Sequence, residues 1–281
     1  AFALYDKYEK ILTIARDPIG QKPLYYGWIN NSFIFASELK AFKLVDTNKL
    51  EISRESLSIF IKTGYVPAPN SIYENIYKLK PGFYASIKPS ETKNIQYEQY
   101  YDLKSIVNMR ESSEINEKLS DNKLELKNLL LQSVIKQQIS DVPIGAFLSG
   151  GIDSSLISCL MQESSTKKID TFTIGFEDKK FDESIYAKKI ANIIGTKHNE
   201  LIINHKDIIE TVSLIPKIYD EPFADSSQLA TYLLSKFAKE NVAVTLSGDG
   251  GDELFAGYNR YHLVSKIISV PHNIRKTSAK I

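Results

Sequence analysis

Two glycine-rich stretches carry the residue types that could do chemistry. The first, Phe147-Leu148-Ser149-Gly150-Gly151-Ile152-Asp153-Ser154-Ser155, follows an apolar run and precedes a helical one. Its glycines let the backbone turn tightly and expose N–H groups, while Ser149, Ser154 and Ser155 add hydroxyls at a helix N-terminus. Amides at the positive end of a helix dipole form an anion site suited to phosphate. Asp153 would repel a bare phosphate there, so its presence points to Mg²⁺ bridging the carboxylate and the ligand's oxygens. The pattern is neither the Gly-x-x-x-x-Gly-Lys-Ser/Thr of kinase-type loops nor the Gly-x-Gly-x-x-Gly of a dinucleotide site. The competing reading is a flexible turn with Asp153-Ser154 as an N-cap.

The second stretch, Leu246-Ser247-Gly248-Asp249-Gly250-Gly251-Asp252-Glu253-Leu254-Phe255-Ala256-Gly257-Tyr258, also follows an apolar strand. Each glycine loses backbone entropy on folding, so this density of glycine and carboxylate is costly for mere connection. A site that brings backbone against a ligand and holds a divalent cation accounts for it. An EF-hand would spread its oxygen ligands over about twelve residues, which this stretch does not do. A solvated acidic turn is the competing reading.

Such loops need rigid elements behind them. Hydrophobic patterning predicts strands over 144–148, 170–176, 199–203 and 242–246, and helices over 154–163, 183–194, 208–219 and 228–240. A further helical period begins at Leu124, runs through Leu126, Leu129, Leu130 and Val134, and stops at Ser140-Asp141-Val142-Pro143. Strands alternating with helices imply right-handed crossovers and a mostly parallel sheet, with ligands beyond the carboxyl ends of its strands. The first hundred residues read differently, as short strands over 2–5, 11–15, 24–28, 33–36 and 82–87 with one helix near 54–62. Asp17-Pro18, Ile19-Gly20, Asn30-Asn31 and Pro81-Gly82 supply the turns between them. Residues 103–122 are polar and lack aromatics, which predicts a linker or surface segment.

Composition narrows the function classes. A length of 281 residues suggests about two domains. Thirty-five Lys plus Arg against 34 Asp plus Glu leave a net charge of +1, which gives no electrostatic footprint for nucleic acid or a membrane surface. Five of those cations are Arg, so planar phosphate clamps are scarce. The single cysteine, Cys159, excludes a disulfide framework and a multi-cysteine metal site, and points to a reducing compartment. Set among Leu156, Ile157 and Leu160, it reads as a buried core thiol. The four histidines, His198, His205, His262 and His272, have no catalytic spacing to it and read as surface or packing residues.

With Asp141-Val142-Pro143-Ile144-Gly145 before the first loop and Asp220-Glu221-Pro222-Phe223-Ala224-Asp225-Ser226-Ser227 between the two, the sequence closely resembles the synthetase domain of glutamine-dependent asparagine synthetases. Ser-Gly-Gly-x-Asp-Ser alone marks the wider group of pyrophosphate-loop ATP hydrolases, and the second loop narrows it to this branch. Phe2-Ala3-Leu4-Tyr5-Asp6, then Ala15-Arg16-Asp17-Pro18-Ile19-Gly20-Gln21-Lys22-Pro23-Leu24-Tyr25-Tyr26, then Ala36-Ser37-Glu38-Leu39-Lys40 look like the later part of that family's glutaminase domain. The resemblance implies an α/β fold: a parallel-sheet pyrophosphate-loop domain preceded by a β-rich remainder of an N-terminal-nucleophile glutaminase. It divides the chain into a partial glutaminase over 1–102, a linker over 103–122 and an ATP-binding domain over 123–281.

Family members release ammonia from glutamine at an N-terminal cysteine and pass it through an internal tunnel to a site where ATP converts aspartate to an acyl adenylate. Carried over, Ser149, Gly150, Gly151, Asp153 and Ser154 hold pyrophosphate, and Asp153 and Asp252 are the Mg²⁺ carboxylates. Phe147 and Ile174 line the adenine pocket, Ser247 and Gly248 touch the nucleotide, and Asp249 takes a proton from the attacking ammonium. Asp249 stands where several relatives carry glutamate, a methylene shorter in reach. Asp225-Ser226-Ser227 replaces a stretch where some relatives place an arginine. The implied substrates are aspartate, ATP, and glutamine or ammonia; the implied setting is a cytoplasmic homodimer, with no nucleic-acid or membrane partner. Amidation of another carboxylate, such as a sugar acid in polysaccharide assembly, is the rival activity; a GMP or NAD synthetase or a tRNA-modifying ligase is a more distant one. The glutaminase nucleophile would precede residue 1 and the family's late lysine would follow residue 281, so the expectation is a nucleotide-binding piece without glutaminase activity and with little or no synthetase activity.

Overall fold

A computed structural model describes residues 1–45, 50–88, 94–111, 119–179 and 182–270. The chain forms two compact units, one of Ala1–Asn116 with Val212–Ser226, the other of Glu117–Thr211 with Ser227–Ile281.

The first unit contains β1 (Phe2–Asp6), β2 (Ile11–Ala15), β3 (Tyr25–Ile29), β4 (Ser32–Ala36), α1 (Lys40–Val45), α2 (Arg54–Thr63), β5 (Ile76–Lys78), β6 (Phe83–Ile87), β7 (Ile95–Gln99) and α3 (Leu103–Glu111). Its strands make two antiparallel sheets, ordered β1-β2-β6-β7 and β4-β3-β5. Side chains alternate across a strand, and β3 uses both faces. Tyr26 and Trp28 pack with Ile14, Ala85 and Ile87 of the other sheet. Tyr25 and Ile29 face Phe42 of α1 and Phe60 of α2. The β3–β4 turn places Asn30 and Asn31 at φ 48° and 65°, the left-handed pair that a tight hairpin turn demands. Helix α2 begins where Ser53 Oγ accepts the Ser56 N–H, and ends at Gly64, whose φ of 83° few other residues tolerate.

The second unit contains α4 (Leu119–Gln137), β8 (Ile144–Phe147), α5 (Ile152–Glu163), β9 (Asp170–Phe176), α6 (Ser184–Ile194), β10 (Lys197–Ile203) and α7 (His205–Val212). The short α8 (Ile215–Ile218) belongs to the first unit, and the second resumes with α9 (Ser227–Ala238), β11 (Val244–Leu246), α10 (Gly251–Phe255) and α11 (Asn259–Ser269). The sheet is parallel throughout, in the order β10-β9-β8-β11. Two successive crossovers step from β8 to β9 to β10, carrying α5 and α6; the third returns across β8 to β11. Ala146 of β8 packs with Val134 of α4 and with Leu160 and Met161 of α5, while Phe147 and Phe172 pack with Leu234, Phe237 and Ala238 of α9. Helices therefore cover both faces, and strand order reverses between β8 and β11. In such sheets the reversal opens the ligand crevice.

Several expectations change. Helix α3 and the start of α4 occupy parts of the segment expected to be a linker; residues 112–118 of that segment lie outside the described residues. The helix expected over 208–219 is two, α7 and α8, with Pro216 in the first turn of the second, where its missing N–H costs nothing. Cys159 is exposed rather than buried: α5 turns Ser158, Leu160 and Met161 inward, and Cys159 lies about 100° round the helix from its neighbours. His198 is half-buried on β10, its Nδ1 3.0 Å from Thr171 Oγ1, and burial holds its pKa below the usual imidazole value. His272 lies outside the described residues, as does the side chain of His262.

Val212–Ser226 runs from the last residue of α7 to the residue before α9, yet belongs to the first unit. Lys40 Nζ lies 3.5 Å from Asp220 Oδ1, and the Lys40 N–H donates to Asp220 Oδ2 at 3.2 Å. Glu221 pairs with Lys78 through Oε1 and accepts the Ile72 N–H through Oε2 at 3.2 Å. The Ala224 N–H donates to Gly64 O at 2.8 Å, so α2's C-terminal glycine also anchors this strap.

Candidate active site

Strands β8 and β11 pair as Ile144↔Val244, Gly145↔Thr245 and Ala146↔Leu246, so both end at the same level and release their loops side by side. That register brings together two glycine-rich stretches that are about a hundred residues apart in the chain. The first is seated firmly: the Leu148 N–H donates to Phe172 O at 2.9 Å, and Leu148 is buried. Gly150 then turns at φ 87°, where an added Cβ would lie 2.9 Å from Tyr186 Cβ and 3.0 Å from Ala187 N. Ser149 and Ser154 close the loop, their hydroxyls 2.9 Å apart, and the Ser149 N–H donates to Ser154 Oγ at 3.2 Å. Helix α5 starts at Gly151 with no side-chain cap, leaving its first N–H groups for a ligand.

The second loop lies against the first. An added Cβ on Gly248 would sit 2.7 Å from Ser154 N, and one on Gly251 would sit 2.5 Å from Asp153 Oδ2. Both positions exclude any side chain, and together they lock Asp153 beside the start of α10. Asp252 follows directly, its Oδ1 occupying the space that a side chain on Gly257 would need. The Ser247 hydroxyl donates to Asp249 Oδ2 at 2.9 Å. The Tyr258 hydroxyl donates to Glu253 Oε1 at 2.7 Å, which lowers the Glu253 carboxyl and raises the phenol.

These loops form one wall of a cavity of about 860 Å³, within the size range of small-molecule sites. Its lining divides by chemistry: Phe147, Ile174, Phe176 and Leu234 are apolar, whereas Ser149, Asp153, Ser154, Ser247, Asp249 and Asp252 are hydroxyls and carboxylates. The residues expected from sequence thus meet at one cavity, with Gly150 set aside against α6 rather than lining it. Ala230, Thr231 and Leu234 of α9 join the lining without having been singled out, as do Glu253 and Tyr258, which lie in the second stretch but were given no role there. The α9 residues recur at helical spacing, which any core-facing helix shows, so only the strand order discloses that this face meets a ligand crevice.

Fold and cavity define the class: a pyrophosphate-loop α/β domain with its loop at the sheet's reversal point, in a chain that also carries a β-rich unit. The asparagine synthase family model matches residues 125–278, and the glutamine amidotransferase domain model matches residues 1–101. The chain belongs to the glutamine-hydrolysing asparagine synthetase family.

Asparagine synthetase (glutamine-hydrolyzing) 1 of Bacillus subtilis is 36% identical over 261 residues, spanning 93% of this chain and 40% of that protein. A Methanocaldococcus jannaschii protein, whose name also places it among glutamine-hydrolyzing asparagine synthetases, is 37% identical over 290 residues, spanning 100% of this chain and 54% of that one. The chain thus spans about half the length of the curated relatives it matches. Among solved structures, an NH3-dependent NAD synthetase from Campylobacter jejuni aligns at a TM-score of 0.35 with 14% identity, over 48% of this chain and 60% of that one, too weak a likeness to argue from.

Proposed function

We propose that this chain is the part of a glutamine-fed asparagine synthetase in which ATP activates the aspartate side chain. The observation that carries the reading is the closure of the two loops on Asp153, at the reversal point of a parallel sheet. The α5 N–H groups and the Ser149 and Ser154 hydroxyls bind and orient the phosphate chain, while Phe147 and Ile174 receive the adenine ring. Ser247 and the Gly248 backbone touch the nucleotide between them.

The donor set fits Mg²⁺. The polar lining offers hard oxygens, and no group of three His, Cys, Asp or Glu among the described residues forms a cage of its own. That suits an ion usually held by one or two carboxylates plus substrate phosphates, here Asp153 and Asp252. When bound, Mg²⁺ would neutralise charge developing on the phosphate oxygens. In the reaction, an aspartate carboxylate oxygen attacks the α-phosphorus and pyrophosphate leaves. Ammonia then attacks the activated carbonyl carbon and AMP leaves. Asp249, steadied by Ser247, accepts the proton that the new C–N bond makes acidic. The single cysteine and the resemblance support a cytoplasmic setting; the resemblance alone supports a homodimer.

ATP–pyrophosphate exchange tests this in the full-length protein that contains the chain. Exchange should depend on aspartate and disappear in Asp153→Ala. Exchange with a uronic acid but not with aspartate would replace the acceptor with a sugar acid.

A further inference from the structure

Five carboxylates line the cavity and, among the described residues, no Lys, Arg or His does. ATP and a dicarboxylate acceptor both add negative charge, and like charges in a partly enclosed site repel. Two of the lining carboxylates have close protein neighbours that explain where they sit: Asp153 packs against Gly251 and Asp249 takes the Ser247 hydroxyl. Glu253 is held in another way. The Tyr258 hydroxyl donates to its Oε1 at 2.7 Å, and the Tyr258 ring is itself fixed by Arg260, whose guanidinium carbon stacks 4.1 Å from the ring centroid. Glu253 and Tyr258 both line the cavity. A carboxylate that accepts one phenol hydrogen bond keeps acceptor capacity for a second donor. An ammonium group offers three donors and the positive charge that the lining lacks.

We propose that Glu253, positioned by Tyr258, binds the α-ammonium group of the acceptor and makes this an amino-acid-specific site rather than a general carboxylate-activating one. The proposal rests on the reading of the cavity as the adenylation site. Tyr258 is a positioning residue that acts through Glu253; Arg260 stacks on Tyr258 and also acts on the Glu253 carboxylate directly through its charge.

Succinate is the probe, since it is aspartate without the amine. In the full-length protein, ATP–pyrophosphate exchange should favour aspartate over succinate, and Glu253→Gln should reduce that ratio by about tenfold or more, mainly through the KM for aspartate. The KM for ATP should change little. Tyr258→Phe keeps the carboxylate but loses its orientation, and should move the ratio the same way by a smaller factor. Glu253→Asp should recover part of it. An unchanged ratio in Glu253→Gln overturns the proposal, as do equal losses on both acceptors with a raised KM for ATP, which would assign Glu253 to the nucleotide. A wild-type protein that uses a uronic acid and not aspartate overturns the functional reading as well. One that uses aspartate while Glu253→Gln keeps full selectivity overturns this inference alone.

Discussion

Asp153 stands where two loops leave no room for a methyl group. Gly251→Ala would push a Cβ to 2.5 Å from its carboxylate, whereas Gly250, at φ 92°, has open space around an added Cβ. The two substitutions should therefore separate. Gly251→Ala should weaken Mg²⁺-dependent ATP binding by about tenfold or more, because overpacking of roughly 1–3 kcal/mol falls directly on that carboxylate. Gly250→Ala should cost about 1–2 kcal/mol of backbone strain in stability and much less in affinity. Titration calorimetry with ATP and Mg²⁺, alongside thermal unfolding, measures both; equal affinity losses would show that the carboxylate's placement is not the issue. His198 gives a pH signature of another kind. Its folded pKa is lowered by burial, so the folded state binds fewer protons than the unfolded state. Its contribution to stability is full above the ordinary value of 6.5 and is lost as pH falls through the folded value. Thermal midpoints should drop between about pH 7.5 and about pH 5.5, and His198→Gln should flatten that drop; an identical slope in the variant would exclude the histidine as its source.

At the level of elements, the parts read correctly from sequence are those whose local pattern and final environment agree. Strands β2 and β9 fall where their patterns place them, because each is a short, mostly apolar run that ends up half-buried or buried along its length. The short β5, at three residues, carries too little pattern to be seen; it exists because β3 supplies a ladder for it. Helix α3 carries Leu103, Ile106, Val107 and Met109, but all four are exposed, so no buried apolar face marks it off from a linker. The two candidate loops stand out locally more than the strand order does. Glycine and carboxylate leave a strong local signal at Ser149–Asp153 and Ser247–Asp252, whereas α9's contribution depends on strand order, which no local window contains. Gly145 shows how tightly that order is built: an added Cβ would lie 2.7 Å from the Phe172 ring, which packs edge-on to Phe237 of α9. Phe172→Ala should cost about 3–5 kcal/mol in denaturant unfolding of the second unit. A loss below about 1 kcal/mol would mean that α9 does not depend on this ring.

For the whole molecule, the strap over 212–226 matters most. Asp220 and Glu221 are largely buried, with side chains 12% and 15% exposed, and each has a lysine partner. Removing one member of a buried pair leaves the other uncompensated, at a cost of up to about 3–5 kcal/mol. Lys78→Met should therefore destabilise the first unit, and Lys78→Met with Glu221→Leu should recover much of that loss, since replacing both charges with apolar groups is often neutral or better. A double variant as unstable as the single one, by thermal unfolding, would show that Glu221 acts mainly through the Ile72 N–H. Because two separate stretches of chain build the first unit, the order of the sequence is a poor guide to what can be inherited alone. An exchange of genes at the boundary near residue 116 would deliver a unit without its own Asp220 and Glu221, leaving Lys78 without its carboxylate partner and Lys40 with Glu38 in place of the pair. Recombination within this family should succeed where the donor carries both stretches, or where it replaces Lys40, Lys78, Asp220 and Glu221 as a set.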